Sequence, residues 1–202
     1  KNRRMNALVT LTRKSLHYPK EIVDEYVKLG LKDIHLRFLN NLGVAKQAWP
    51  SISYSVKDYL AFWKKAVDYI RKLKKQGKEI NERMVTIMFN KINNEFDPNY
   101  LDLRSPCGAA IGQLAYNYNG EIYTCDEARM IGEDLFLLGN VKKNKYKDVV
   151  TSDKACAVTA ASMNDQYICN DCVYKPYCGI CPVCNYAEQG SIIGKIRQTD
   201  RC

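Results

Sequence analysis

No run of about eighteen apolar residues occurs in this 202-residue chain, so no segment is long enough to cross a membrane as a helix. The opening Lys1-Asn2-Arg3-Arg4 leads straight into a β-branched apolar stretch and not into a signal-peptide core, so neither export nor a membrane is expected. The first residue is not Met, and the chain is expected to begin inside a longer protein. There is no internal repeat and no low-complexity tract. A basic stripe interleaved with aromatics, the signature of a nucleic-acid groove, is also missing. Nucleic acid is therefore not an expected partner, and the net charge of +9 reads as a solvated surface. Many of the basic residues, including Lys64, Lys65, Arg71, Lys72, Lys74 and Lys75, fall in one helical stretch. The two histidines, His17 and His35, have no ligand spacing and read as structural.

What is present suits a globular protein of one large or two small domains, since 46% hydrophobic residues is enough to bury a core. Asn6 to Thr12 is a strand-like run. A helix signal follows, with Pro19 in its first turn, apolar Ile22, Val23, Tyr26 and Val27, and Gly30 just past its end. Asp33 to Leu39 reads as a second strand, which makes a βαβ unit of a parallel sheet. Such a unit needs partner strands, so a partial barrel is expected. Leu42 to Tyr54 reads as a loop. Ser55-x-x-Asp58 has capping-box spacing before a long amphipathic helix, whose core face is read as Val56, Tyr59, Leu60, Trp63, Val67, Ile70 and Leu73. A further helix is expected over Asn81 to Ile92, and a boundary between Asn93 and Tyr100. From Asp102 the texture changes to short β segments, glycines and cysteines. Gln113–Tyr118 and Glu121–Cys125 flank Asn119-Gly120, a hairpin signal, and another short strand is expected within Asp134 to Val141.

Nine cysteines are the outlying feature. Eight lie between Cys107 and Cys184, and Cys202 closes the chain. An odd count with C-x2-C spacing and no secretory signal disfavours disulfides and favours metal thiolates in a reducing compartment, here the cytoplasm. Cys107 and Cys125 stand at either end of C-x12-G-x4-C, where the hairpin returns the chain and can bring both thiols to one side. Cys169-x2-Cys172-x5-Cys178-x2-Cys181-x2-Cys184 packs five thiols into sixteen residues. Tyr167 to Cys184 is too dense in Cys, Pro and Tyr to build an ordinary core, so bound metal is the expected source of order. C-x2-C suits a tetrahedral zinc or one edge of an iron–sulfur cluster, and a zinc-stabilised binding module is the alternative reading. No x3-Cys-Pro follows the last run, which argues against a simple ferredoxin.

The ordered arrangement C-x12-G-x4-C, a gap, C-x2-C-x5-C-x2-C-P, another gap and a final C resembles the SPASM domain of radical S-adenosylmethionine (SAM) peptide and protein maturases. The text from Ser105-Pro-Cys-Gly to Tyr118, Cys125-Asp-Glu-Ala-Arg-Met130 and Tyr177-Cys-Gly-Ile-Cys-Pro182 looks most like the His-Xaa-Ser system maturases of that family. Upstream, Ser15-Leu, Glu21 to Tyr26 and Leu36-Arg37 look like the last barrel elements. The resemblance implies an α/β part followed by a small α+β part. Residues 1–100 would end a partial radical SAM (β/α) barrel, and residues 101–202 would form a cysteine-rich SPASM domain with a β-hairpin.

By the same resemblance the whole protein is an enzyme that cleaves SAM to a 5′-deoxyadenosyl radical on a [4Fe–4S] cluster held by C-x3-C-x2-C. That motif is absent here, so this chain alone is expected to be inactive and to handle electrons and place substrate. Two auxiliary [4Fe–4S] clusters are implied, the first on Cys107, Cys125 and Cys181, the second on Cys169, Cys172, Cys178 and Cys202. The family's usual C-x3-C is C-x2-C here with Cys184 added, so Cys181 and Cys184 can exchange roles. Cys156 either completes the first cluster or is a small buried hydrophobe. Asp126, next to Cys125, matches a carboxylate that relatives use as a proton acceptor near substrate; ordering the hairpin is its plainer role. Arg13 and Arg37 fall where SAM contacts are expected, and solvated or ion-paired arginines are the alternative. The implied partners are a ribosomally made precursor peptide or protein and an electron donor.

Overall fold

The computed structural model describes residues 6–163 and 169–199. The chain divides into two compact units, Lys1–Phe96 and Asp97–Cys202.

The first unit is built on a parallel sheet of order β1-β2-β3, from Ala7–Thr10, Asp33–Arg37 and Asn81–Glu82. A 3-10 turn, Arg13–His17, leads into α1 (Pro19–Lys28), the crossover that two parallel neighbours require. Pro19 starts this helix where a missing N–H costs nothing. Gly30, at φ 71°, stops it: Gly30 donates to the Val27 carbonyl and Leu31 to that of Tyr26, a Schellman closure. After α2 (Val44–Ile52) comes α3 (Val56–Lys75). The Ser55 side chain accepts from Asp58 N at 3.1 Å, and Asp58 Oδ2 accepts from the Ser55 backbone, the capping box that the spacing predicts.

The core lies between sheet and helices, with Leu11, Val23, Ile34, Leu36, Phe62, Ala66, Ile70 and Ile80 buried together. Each such large side chain contributes about 1.5–3 kcal/mol. Half-buried tyrosines tie the layers through their polar ends. Tyr59 donates to the Leu36 carbonyl at 2.9 Å and Tyr69 to Asp24 Oδ1 at 2.7 Å.

Three expectations change here. Val44–Ile52 is helical, not a loop, despite Pro50 inside it. Asn81–Glu82 is a strand, and α4 begins only at Arg83 and runs to Asn93. The Glu82 carboxylate is the reason: it is buried, accepts Val85 N at 2.8 Å as the helix cap, and also accepts Leu36 N at 3.3 Å on the neighbouring strand. Burial holds its carboxyl above the usual range. The buried face of α3 is Phe62, Ala66, Ile70 and Leu73, flanked by Tyr59 and Trp63, while Leu60 is exposed.

In the second unit β4 (Ala115–Tyr116), β5 (Glu121–Tyr123) and β6 (Leu137–Asn140) form an antiparallel sheet in that order. Gly120, at φ 87°, closes the turn between β4 and β5 by donating to the Asn117 carbonyl. Asp134–Phe136, expected within a strand, is a 3-10 turn that feeds β6. Short helices complete the unit: α5 (Asp126–Ile131), α6 (Tyr146–Val150), α7 (Asp153–Ala161) and α8 (Pro182–Gln189). Its apolar residues gather in two small clusters. One combines Cys107, Cys125, Tyr123, Phe136, Val158 and Val183; the other is centred on Ile122, Leu138 and Val149. No helix among the described residues is long and apolar enough to cross a membrane.

Candidate metal centre

Cys107 sits in a loop folded back on the 3-10 turn Leu101–Leu103. Gly108 donates to the Leu101 carbonyl, and a Cβ on Gly108 would stand 2.5 Å from Leu101 Cδ2, so only glycine allows this approach. Ala109 N donates to Cys107 Sγ at 3.4 Å. Ala110 adopts φ 63°, which costs a non-glycine residue about 1–2 kcal/mol, and donates to the Thr124 carbonyl at 2.8 Å. That bond holds the Cys107 loop beside the residue that precedes Cys125.

Cys125 follows β5 in extended backbone and caps α5, its Sγ accepting Ala128 N at 3.4 Å. Cys181 caps α8, with Pro182 at the first helical position. It packs, half-buried, against the cluster that contains Cys107 and Cys125. The strap leading to Cys181 is fixed by close contact. A Cβ on Gly179 would come within 2.0 Å of the Asp102 carbonyl oxygen, so only glycine lets the strap lie on the turn that precedes Cys107.

Burial pushes the Cys107 thiol up, and the Ala109 N–H opposes this. Burial likewise pushes Cys125 up, against the Ala128 N–H, with Glu127, Cys181 and Asp126 adding to the rise. Both sulfurs are buried, and each receives a backbone N–H.

The remaining cysteines differ in setting. Cys184 is buried one turn into α8. Cys169, Cys172 and Cys178 are half-buried in successive turns, with Cys172 N donating to the Cys169 carbonyl at 3.2 Å and Cys178 N to that of Lys175 at 3.3 Å. Cys156 is exposed on α7, whose Ala155 and Val158 face the core, so it is not the small buried hydrophobe that was one expectation. Cys202 lies outside the described residues.

Asp126 is the first residue of α5 and half-buried. Arg13 donates from Nε to the Ser53 carbonyl at 2.8 Å and from Nη2 to that of Pro50 at 3.0 Å, so its guanidinium closes the end of α2. Arg37 ends β2, and its charge contributes to lowering the pKa of buried His35. Sequence reading missed Ser162, Gly108 and Gly179. The glycines had a signal, being adjacent to cysteines; Ser162 had none.

Among the described residues no three His, Cys, Asp or Glu side chains converge to hold a single metal ion. Thiolates on an iron–sulfur cluster bind different irons and stand further apart than thiolates on one ion. Cys107, Cys125 and Cys181, drawn into one core from three stretches of chain, fit the donor set of such a cluster. The fully buried Thr124 Oγ1, in the residue before Cys125, has no protein hydrogen-bond partner.

Residues 107–173 match the family model of SPASM, an iron–sulfur cluster-binding domain. No curated protein matches the sequence. Among solved structures the chain is similar to native anSMEcpe with bound AdoMet, with a TM-score of 0.72 and 19% identity over 94% of this chain and 50% of that one. It is equally similar to native anSMEcpe with bound AdoMet and the Cp18Cys peptide, with a TM-score of 0.71 and 19% identity over 94% of this chain and 51% of that one. The chain spans about half the length of these structures. Residues 107–173 thus match the SPASM iron–sulfur cluster-binding domain, within a fold shared with anSMEcpe.

Proposed function

We propose that this chain is the C-terminal part of a radical SAM maturase that acts on a ribosomally made peptide or protein, its own role being to bind auxiliary clusters and place substrate. Cys107, Cys125 and Cys181 would hold one [4Fe–4S] cluster; Cys169, Cys172 and Cys178, with Cys202, would hold a second. When bound, these clusters supply one-electron transfer. The observation that carries the reading is the gathering of Cys107, Cys125 and Cys181 in one core. It is supported by the N–H donors to two of the sulfurs.

Cys181 is favoured over Cys184 as the third ligand, because it packs against the cluster that holds Cys107 and Cys125. Cys184, one turn further along α8, is the residue of choice for an additional ligand, whereas exposed Cys156 is not. Asp126 stands beside Cys125 and is assigned proton acceptance from substrate. The peptide in the anSMEcpe complex supports a peptide substrate here. The His-Xaa-Ser subtype is retained as the working assignment. Arg13, which also holds the end of α2, and Arg37 remain the candidates for SAM.

Anaerobic purification followed by iron, sulfide and zinc analysis tests the reading. About eight irons and eight sulfides per chain are expected. Cys107→Ala or Cys181→Ala should lower both by about four. Colourless protein with stoichiometric zinc would refute it.

A further inference from the structure

Cys107 is bonded to a residue fifty-five positions away that belongs to no cysteine motif. Its peptide N–H donates to Ser162 Oγ at 3.0 Å. Ser162 ends α7, is completely buried, and spends its own proton on the Thr159 carbonyl at 2.7 Å. With donor and acceptor both engaged, the hydroxyl has one orientation and holds Cys107 N in one place. The helix carrying it is itself fixed. Ser152 caps its start, accepting Ala155 N at 3.3 Å, and Val158 is packed in the same cluster as Cys107 and Cys125. Cys107 otherwise sits on a loop with Gly108 and a left-handed Ala110, a backbone with little helical or strand support of its own.

From this we infer that Ser162 is a positioning residue for Cys107, anchoring the backbone of that ligand to α7 so that its sulfur is held for the first cluster. The inference rests on the assignment of Cys107 as a ligand. Residues outside the ligand set that orient ligands typically change metal affinity 10–100-fold when removed. Removing the hydroxyl also leaves an apolar wall beside the ligand, which disfavours the more negative reduced cluster.

The test uses the full chain with its clusters loaded anaerobically. Ser162→Ala should take up iron but lose about half of it to a chelator on the order of tenfold faster than wild type. One of two cluster midpoint potentials in an EPR-monitored redox titration should move down while the other stays. Ser162→Thr, which keeps the hydroxyl, should restore both readouts. Ser162→Gly, tolerated at a helix end, is expected to behave as Ser162→Ala does and decides the matter if the alanine variant does not fold. Wild-type iron loss and unchanged potentials in a loaded, folded Ala or Gly variant would overturn the inference while leaving the cluster assignment standing. A wild-type chain that takes up no iron would overturn both.

Discussion

The two halves of this chain solve the same problem with different materials. Residues 1–96 carry 20 Lys and Arg against 9 Asp and Glu, and residues 97–202 carry 11 against 13, so the excess positive charge belongs entirely to the first half. The first unit wraps a twenty-residue helix and a ten-residue helix over a parallel sheet and buries Phe62, Ile34, Leu36, Ile70 and Ile80 in one core. The second has no strand longer than four residues among those described, and its apolar side chains are split between two clusters, of which one contains Cys107 and Cys125. Burial at about 25 cal/mol per Å² stabilises both; if the proposed function holds, bound clusters add to the second what its thiols can hold.

Metal removal should divide the halves most sharply. Structural metals contribute on the order of 10 kcal/mol to small domains, so stripping iron should abolish hydrogen-exchange protection around 107–128 and 169–189. Ile34, Leu36 and the interior of α3 should stay protected. Equal loss in both halves would break the comparison.

Phe62→Ala is the converse experiment. Its side chain is 2% exposed, and truncation should cost about 3–5 kcal/mol, read as a lower first-unit transition with iron content unchanged.

A pH titration sharpens the contrast further. His35 is buried on β2, where burial, then the charges of Arg83 and Arg37, hold its pKa at about 4. The unfolded chain binds that proton at about pH 6.5 and the folded one does not. Stability should therefore fall as pH drops from about 6.5 towards 4, by up to about 3 kcal/mol, with no contribution above that window. His35→Gln should flatten the profile of the first unit. A profile as steep as wild type would remove His35 from the account.

The smallest effect is expected at Gly179. The added methyl of Gly179→Ala meets the Asp102 carbonyl, and relief of such overpacking costs about 1–3 kcal/mol. Because the strain falls on the strap to Cys181, iron retention should drop with it, whereas Gly30→Ala in the first unit, with open space around it, should leave iron untouched.

Much of the first unit was legible because its signals are local. Pro19, Gly30 and the Ser55/Asp58 box each act within one turn of chain, and strand–helix–strand spacing leads to a parallel pair. Errors arose where a distant group intervened. Glu82 serves two backbones at once and so ends a strand inside an apparent helix. The α2 segment, with Pro50 inside it, read as a loop, and its last carbonyls are taken by Arg13, from nearly forty residues away.

By itself the sequence determined which atoms are available: nine thiols at spacings that suit metal, the glycines beside them, and the local starts and stops of helices. Only the tertiary structure decided which thiols share a core, that Cys181 and not Cys156 packs beside Cys107 and Cys125, and that a serine on α7 holds Cys107. Spacing along a chain constrains neighbours within a turn or a hairpin, whereas convergence of stretches fifty residues apart is set by packing and close backbone contact, which no local pattern encodes.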